Sequence, residues 1–138
     1  EIPFGTGVLR FYPYTGGNSR QENSMAILFE SENCVILITG DLDMAGERRL
    51  LRQGVLPKTD ILVVGHHGSK YSTCPELLET TKPELAVISV GANNHYGHPA
   101  QELLDRLEDT GCDIRRTDRE GTILIRREDC GKKTSIGG

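Results

Sequence analysis

The sequence predicts an α/β domain: one mixed sheet of about seven strands with three helices on one face. Three observations predict it. Short apolar runs recur along the chain, and from the middle onward they alternate with amphipathic segments, the pattern of parallel strands joined by crossover helices. Two of these runs, at 61–64 and 85–90, are apolar without alternation, as in strands buried on both faces. The chain has 138 residues, 36% hydrophobic and 26% charged, which suits one domain and excludes wholesale disorder.

The elements follow in order. Residues 7–12 half-alternate and read as a strand. Residues 24–29 and 34–39 are apolar runs separated by Glu30-Ser31-Glu32-Asn33, so they predict a hairpin. Residues 44–53 form a first helix, with Leu50 and Leu51 facing inward and Gly54 as its stop. After the strand at 61–64, Thr73 and Glu76 have capping-box spacing, so a second helix follows with Leu77 and Leu78 buried. After the strand at 85–90, Pro99 suits a first helical turn. Leu103, Leu104 and Leu107 line one stripe of a third helix that Gly111 ends. Residues 114–117 and 122–126 flank Asp118-Arg119-Glu120-Gly121, which predicts a closing hairpin. Residues 16–23 read as a polar loop. The domain is expected to fill residues 1–130, with 131–138 as a mobile tail.

Composition narrows the function. No apolar run is long enough to span a bilayer. The start, Glu1-Ile2-Pro3-Phe4, has no signal-peptide pattern and reads as the beginning of a piece of a longer protein. A net charge of -4 argues against an open electrostatic grip on nucleic acid. It leaves room for a metal-centred site that handles phosphates, because a bound cation reverses the local sign. The cysteines at 34, 74, 112 and 130 have no C-x-x-C spacing, which argues against a zinc ribbon or redox pair. Cys34 is expected in the core and Cys130 as a free thiol in a polar tail. Their number does not fix the compartment.

Three helices on one face leave the other face of the sheet open. Yet the runs at 35–38 and 61–64 are apolar at both parities. Something outside this chain is therefore expected to cover the second face.

Three loops follow strand ends, where open α/β sheets place their sites. They are Thr39-Gly40-Asp41, Gly65-His66-His67-Gly68-Ser69, and the stretch 91–99 that contains Asn94, His95, Tyr96 and His98. An acid, a tandem histidine pair and a helix-start histidine from neighbouring strand ends form a plausible ligand set for zinc or manganese. Each has a plainer reading. Asp41 can cap a helix or hold a turn. Neighbouring side chains on extended backbone point to opposite faces, so one of His66 and His67 at most is expected to meet a metal. His98 at a helix start would be held neutral by the dipole, suited to an anion or simply to capping. His95 reads as surface, and Asn23-Ser24 as a turn or a polar contact beneath the site.

Taken together, several strings resemble one family. They are Leu37-Ile38-Thr39-Gly40-Asp41, the run 60–69 ending in Gly-His-His-Gly-Ser, Val87-Ile88-Ser89-Val90-Gly91, Asn94, Tyr96-Gly97-His98-Pro99, and Arg116-Thr117-Asp118 with Gly121. The family is the metallo-β-lactamase-like domain at the C-terminus of the ComEC competence proteins, membrane channels for DNA uptake. The resemblance runs from about Val8 to Arg126.

The resemblance implies a fold and a chemistry. The fold is an αββα sandwich of two similar halves, and this chain resembles the second half. The first half carries an HxHxDH motif, absent here, that supplies most metal ligands. Carried over are Asp41 as the acid between two metals and one of His66 and His67, with His67 slightly favoured, as a late ligand. His98 matches a substrate-side histidine, and Ser69 and Asn23 match substrate-side or supporting groups. The implied reaction is metal-assisted phosphodiester hydrolysis of single-stranded DNA by the intact domain. This fragment is expected to bind zinc or manganese weakly and to be inactive. Expected partners are the missing front half, single-stranded DNA, or a second copy across the open sheet face. The expected setting is a soluble domain of a bacterial cell-membrane protein, on a side the sequence leaves open. Another hydrolase of the same fold, or a non-catalytic partner-binding domain, are the alternatives.

Overall fold

A computed structural model describes residues 1–13, 24–54, 56–126, 128 and 130. The polar loop at 16–23, including Asn23, and the tail at 131–138 lie outside the described residues. Seven strands form one sheet: β1 (Ile2–Phe4), β2 (Gly7–Pro13), β3 (Met25–Ser31), β4 (Val35–Ile38), β5 (Ile61–Val63), β6 (Leu85–Ile88) and β7 (Asp113–Arg116). Their order across the sheet is their order in the chain. The pairs from β1 to β4 are antiparallel and those from β4 to β7 parallel. The crossovers carry α1 (Met44–Gln53), α2 (Pro75–Thr81) and α3 (Gln101–Thr110).

All three helices pack on one face. Leu50, Leu77, Leu78, Leu103 and Leu107 meet Leu28, Leu37, Leu62, Ala86 and Ile88 in one buried cluster. The mixed sheet and its one-sided helices are those the sequence predicts.

Four details differ. Ile2–Phe4 is an edge strand that the sequence reading does not contain. The closing hairpin is absent: residues 117–120 form a short helix, α4 (Thr117–Glu120). The chain then runs on without pairing as a strand. Third, α3 begins at Gln101, and His98-Pro99 is a cis peptide before it, so His98 does not sit at the helix start. Fourth, Thr73 does not cap α2. It lies at φ 58°, and its hydroxyl is buried without a partner. Glu76 instead pairs with Arg48 at 2.9 Å.

The second face also departs from expectation. Ile123, Ile125 and Cys130 fold back over it and pack around Cys34, Ile61 and Val87. Cys130 is not free. It forms a disulfide with Cys34, across 96 residues of sequence. The chain therefore covers part of this face itself. The rest is less covered: register places Phe11, Ile27, Ile38 and Val63 in one transverse row. Phe11 and Met25 at one end of this face are exposed at 38% and 43%.

Candidate functional site

Strands β4, β5 and β6 are parallel, so their C-terminal ends share one edge. The three loops leaving that edge are stitched together by main-chain contacts. Gly40 lies at φ +58°, and a Cβ there would come within 2.7 Å of Ser24 Oγ. The same Ser24 hydroxyl accepts the Asp41 amide at 2.9 Å. The His66 amide donates to the Gly40 carbonyl at 2.8 Å, joining the first loop to the second. Gly68 lies at φ +86°, and a Cβ there would strike Pro99 Cβ at 2.6 Å. The Ala100 amide reaches the Gly68 carbonyl at 2.9 Å, joining the second loop to the third. These two motif glycines are thus points of close approach, where no side chain fits.

His66 and His67 are consecutive left-handed residues, at φ 50° and φ 54°. The alternation expected of extended backbone therefore does not apply to them. Non-glycine residues held this way cost on the order of 1–3 kcal/mol each and concentrate at functional sites. His67 is exposed, and its Nδ1 hydrogen bonds with the Ser89 carbonyl at 2.8 Å. A carbonyl only accepts, so Nδ1 carries the proton and Nε2 keeps a free lone pair. That is the arrangement that prepares an imidazole for a metal.

His66 and His98 each keep a buried Nδ1 without a partner. Their rings meet edge to face at 6.0 Å. The Tyr96 ring also neighbours His98, with centroids 6.0 Å apart and planes inclined by 23°. Burial holds the His98 pKa below the usual histidine range, and nearby His66 and His67 add to this. His98 is therefore a neutral imidazole at pH 7, for a different reason than the helix dipole. Asp41 is exposed, and its loop is tied to His66 through the Gly40 carbonyl.

Ser69 is buried. Its amide donates to the His66 carbonyl at 3.0 Å, and its hydroxyl accepts from the Tyr71 amide at 3.3 Å. Ser72 closes the same loop by donating to the Gly65 and Ser69 carbonyls.

Two supporting residues go unnoticed in the sequence. Glu47 of α1 is fully buried, and its two carboxylate oxygens accept the Thr73 and Cys74 amides, both at 2.7 Å. It thereby caps α2 from outside that helix. Arg106 of α3 donates to the Lys70 and Ser72 carbonyls of the same loop. A signal for Glu47 exists: it lies three residues after Met44 and three before Leu50, within the apolar stripe.

Asn94, present in the motif but without an assigned role, organises the third loop. Its Nδ2 donates to the Gly91 and His98 carbonyls, and its Oδ1 accepts the Tyr96 and His98 amides. Asn94→Asp removes both donors. The expected result is faster amide hydrogen exchange across residues 91–98, with the central strands as protected as before and a stability loss of about 1–2 kcal/mol. Unchanged exchange in the loop would contradict this role.

The donor set is nitrogen and carboxylate oxygen, which suits zinc or manganese. His67, with its tautomer fixed, and Asp41 fit such an ion. Among the described residues, no three His, Cys, Asp or Glu side chains form a group that could hold a metal by themselves.

No known family model matches the sequence. Curated proteins do. The chain is 39% identical over 108 residues to ComE operon protein 3 of Bacillus subtilis (strain 168), covering 78% of the chain and 14% of that protein. It is 39% identical over 89 residues to Competence protein ComA of Neisseria gonorrhoeae, covering 64% and 13%. It is 34% identical over 103 residues to Recombination protein 2 of Haemophilus influenzae, covering 75% and 13%. The chain thus spans a small part of the length of these relatives. Among the described residues, no helix is long and apolar enough to cross a membrane.

Proposed function

The chain belongs to the ComE operon protein 3 family of competence proteins, of which it matches one segment, and on that premise we propose that it is the rear half of a metallo-β-lactamase-like hydrolase domain acting in DNA uptake. The observation that carries this reading is the strained His66-His67 pair. It is fixed by Ser89 and stitched to the loops of Asp41 and His98.

In this reading Asp41 and His67 hold zinc or manganese together with ligands from a front half, and His66 lines the same edge. Bound metal supplies charge neutralisation for a phosphodiester and a water of lowered pKa. His98, neutral and near Tyr96 and His66, faces the substrate and donates its one N–H as a hydrogen bond to a phosphate oxygen. Ser69 keeps the tandem histidines in place through its bond to the His66 carbonyl. The front half covers the apolar row from Phe11 to Val63. The substrate is the DNA strand that is not imported, and the domain is part of a bacterial cell-membrane protein.

The test is hydrolysis of single-stranded DNA by the intact domain with manganese or zinc. His67→Ala and Asp41→Ala are each expected to lower kcat by at least about 100-fold, the size typical of losing a group that holds a catalytic ion. The 138-residue chain alone is expected to retain less than stoichiometric metal and to cleave nothing. Full metal retention by the chain alone, or an intact domain that binds metal yet leaves DNA whole, would reject the proposal.

A further inference from the structure

We infer that Tyr96 is a base-stacking residue that makes the site select a strand with an unpaired nucleobase next to the scissile phosphate. The inference rests on the phosphodiester reading above and adds a substrate-recognition element to it.

Tyr96 is exposed at 84%, the most exposed of the large hydrophobic side chains described. It contributes no packing to either core cluster. Its main chain is held in place. Its amide is held at 3.2 Å by Asn94 Oδ1, and the same side chain holds both main-chain groups of His98. The phenol ring is roughly parallel to the His98 imidazole, with centroids 6.0 Å apart, and that imidazole meets His66. Most of the ring is open to solvent. An exposed aromatic ring, carried on a fixed main chain beside the proposed phosphate-contacting histidine, is a platform for another flat ring.

Charge favours the same conclusion. A chain with a net charge of -4 offers little general attraction to a polyanion. Affinity for a strand must then come from metal–phosphate contacts and from stacking. A base inside a duplex is already stacked on both faces, so the Tyr96 platform takes only an unpaired one.

The test uses the full-length protein with a metal chelator, so that binding is read without cleavage. Fluorescence anisotropy would compare a labelled oligothymidylate with an abasic strand of equal length and charge. Tyr96→Ala is expected to weaken oligothymidylate binding about 10-fold, as for the loss of one base–aromatic stack. Tyr96→Phe and Tyr96→Trp are expected to bind as the wild type does. The abasic strand should not distinguish wild type from Tyr96→Ala. Because Tyr96 packs into neither cluster, Tyr96→Ala should melt with the wild type, which separates recognition from folding.

Equal oligothymidylate binding by Tyr96→Ala and wild type would overturn the inference. So would a loss that persists on the abasic strand, or wild-type protein that binds neither strand. Tyr96-dependent binding without cleavage on adding manganese would reject the hydrolase reading while leaving this one standing. Cleavage with a KM unchanged in Tyr96→Ala would do the reverse.

Discussion

Removing the Cys34–Cys130 disulfide, by reductant or by Cys130→Ser, is expected to lower stability by about 4 kcal/mol. The bridge closes a loop of 96 residues, and a cross-link of that span removes much of the freedom of the unfolded chain. The bridge also ties Ile123 and Ile125 over Ile61 and Val87, so its loss loosens apolar cover as well. For a domain of this size the melting midpoint should fall by roughly 10–16 °C. Circular dichroism melts with and without reductant would measure it. Reduced wild type and Cys130→Ser should coincide. Equal midpoints before and after reduction would refute the role. Cys74 does not confuse the reading, because burial and the charge of Glu47 push its thiol up to about 12. Disulfides persist where thiols are kept oxidised. Alkylation of intact cells should therefore leave Cys34 and Cys130 unmodified until reductant is added.

Glu47→Ala is expected to cost about 3–4 kcal/mol. It leaves the Thr73 and Cys74 amides buried without acceptors, at roughly 1–3 kcal/mol each. Glu47 also makes stability depend on pH. Burial pushes its carboxyl up to about 7, against the pull of the two amides and of Arg106. Unfolded, the group titrates near 4.5. Between those values the folded state holds the extra proton. The stability this group contributes is therefore complete below pH 4.5 and is lost as pH rises through 7, a fall of about 3 kcal/mol. Urea midpoints from pH 5 to pH 8 should show the fall in the wild type and lack it in Glu47→Gln. Parallel profiles for the two proteins would remove Glu47 as the cause.

Much of this architecture was legible in the residues because it rests on local pattern. The apolar runs at 35–38, 61–64 and 85–90 named their strands, and Leu103 with Leu107 named the buried stripe of α3. What escaped depends on partners distant in sequence. Thr73 and Glu76 satisfy the capping-box spacing, but the acceptor for that turn arrives from Glu47, 26 residues away. The run 122–126 reads as a strand because its alternation matches one. It instead lays Ile123 and Ile125 across the sheet, where Cys130 can reach Cys34. Asp41, His66, His67 and His98 were legible as candidates by their chemistry and by their place after strand ends. The left-handed conformation of the histidine pair did not, because single-residue preference does not foretell it. The Asn94 hub is likewise a matter of loop geometry, visible only once the main-chain groups of residues 91–98 have positions.

The sheet lists its strands in the sequence they leave the ribosome, β1 to β7, each beside its predecessor. Every ladder can therefore zip onto an existing edge without waiting for a distant segment, and contacts between near neighbours in sequence speed folding. Oxidation is the exception. Cys34 precedes β4 while its mate comes 96 residues later, beyond the last strand of the sheet, so the bridge seals a sheet already laid down and does not guide its assembly.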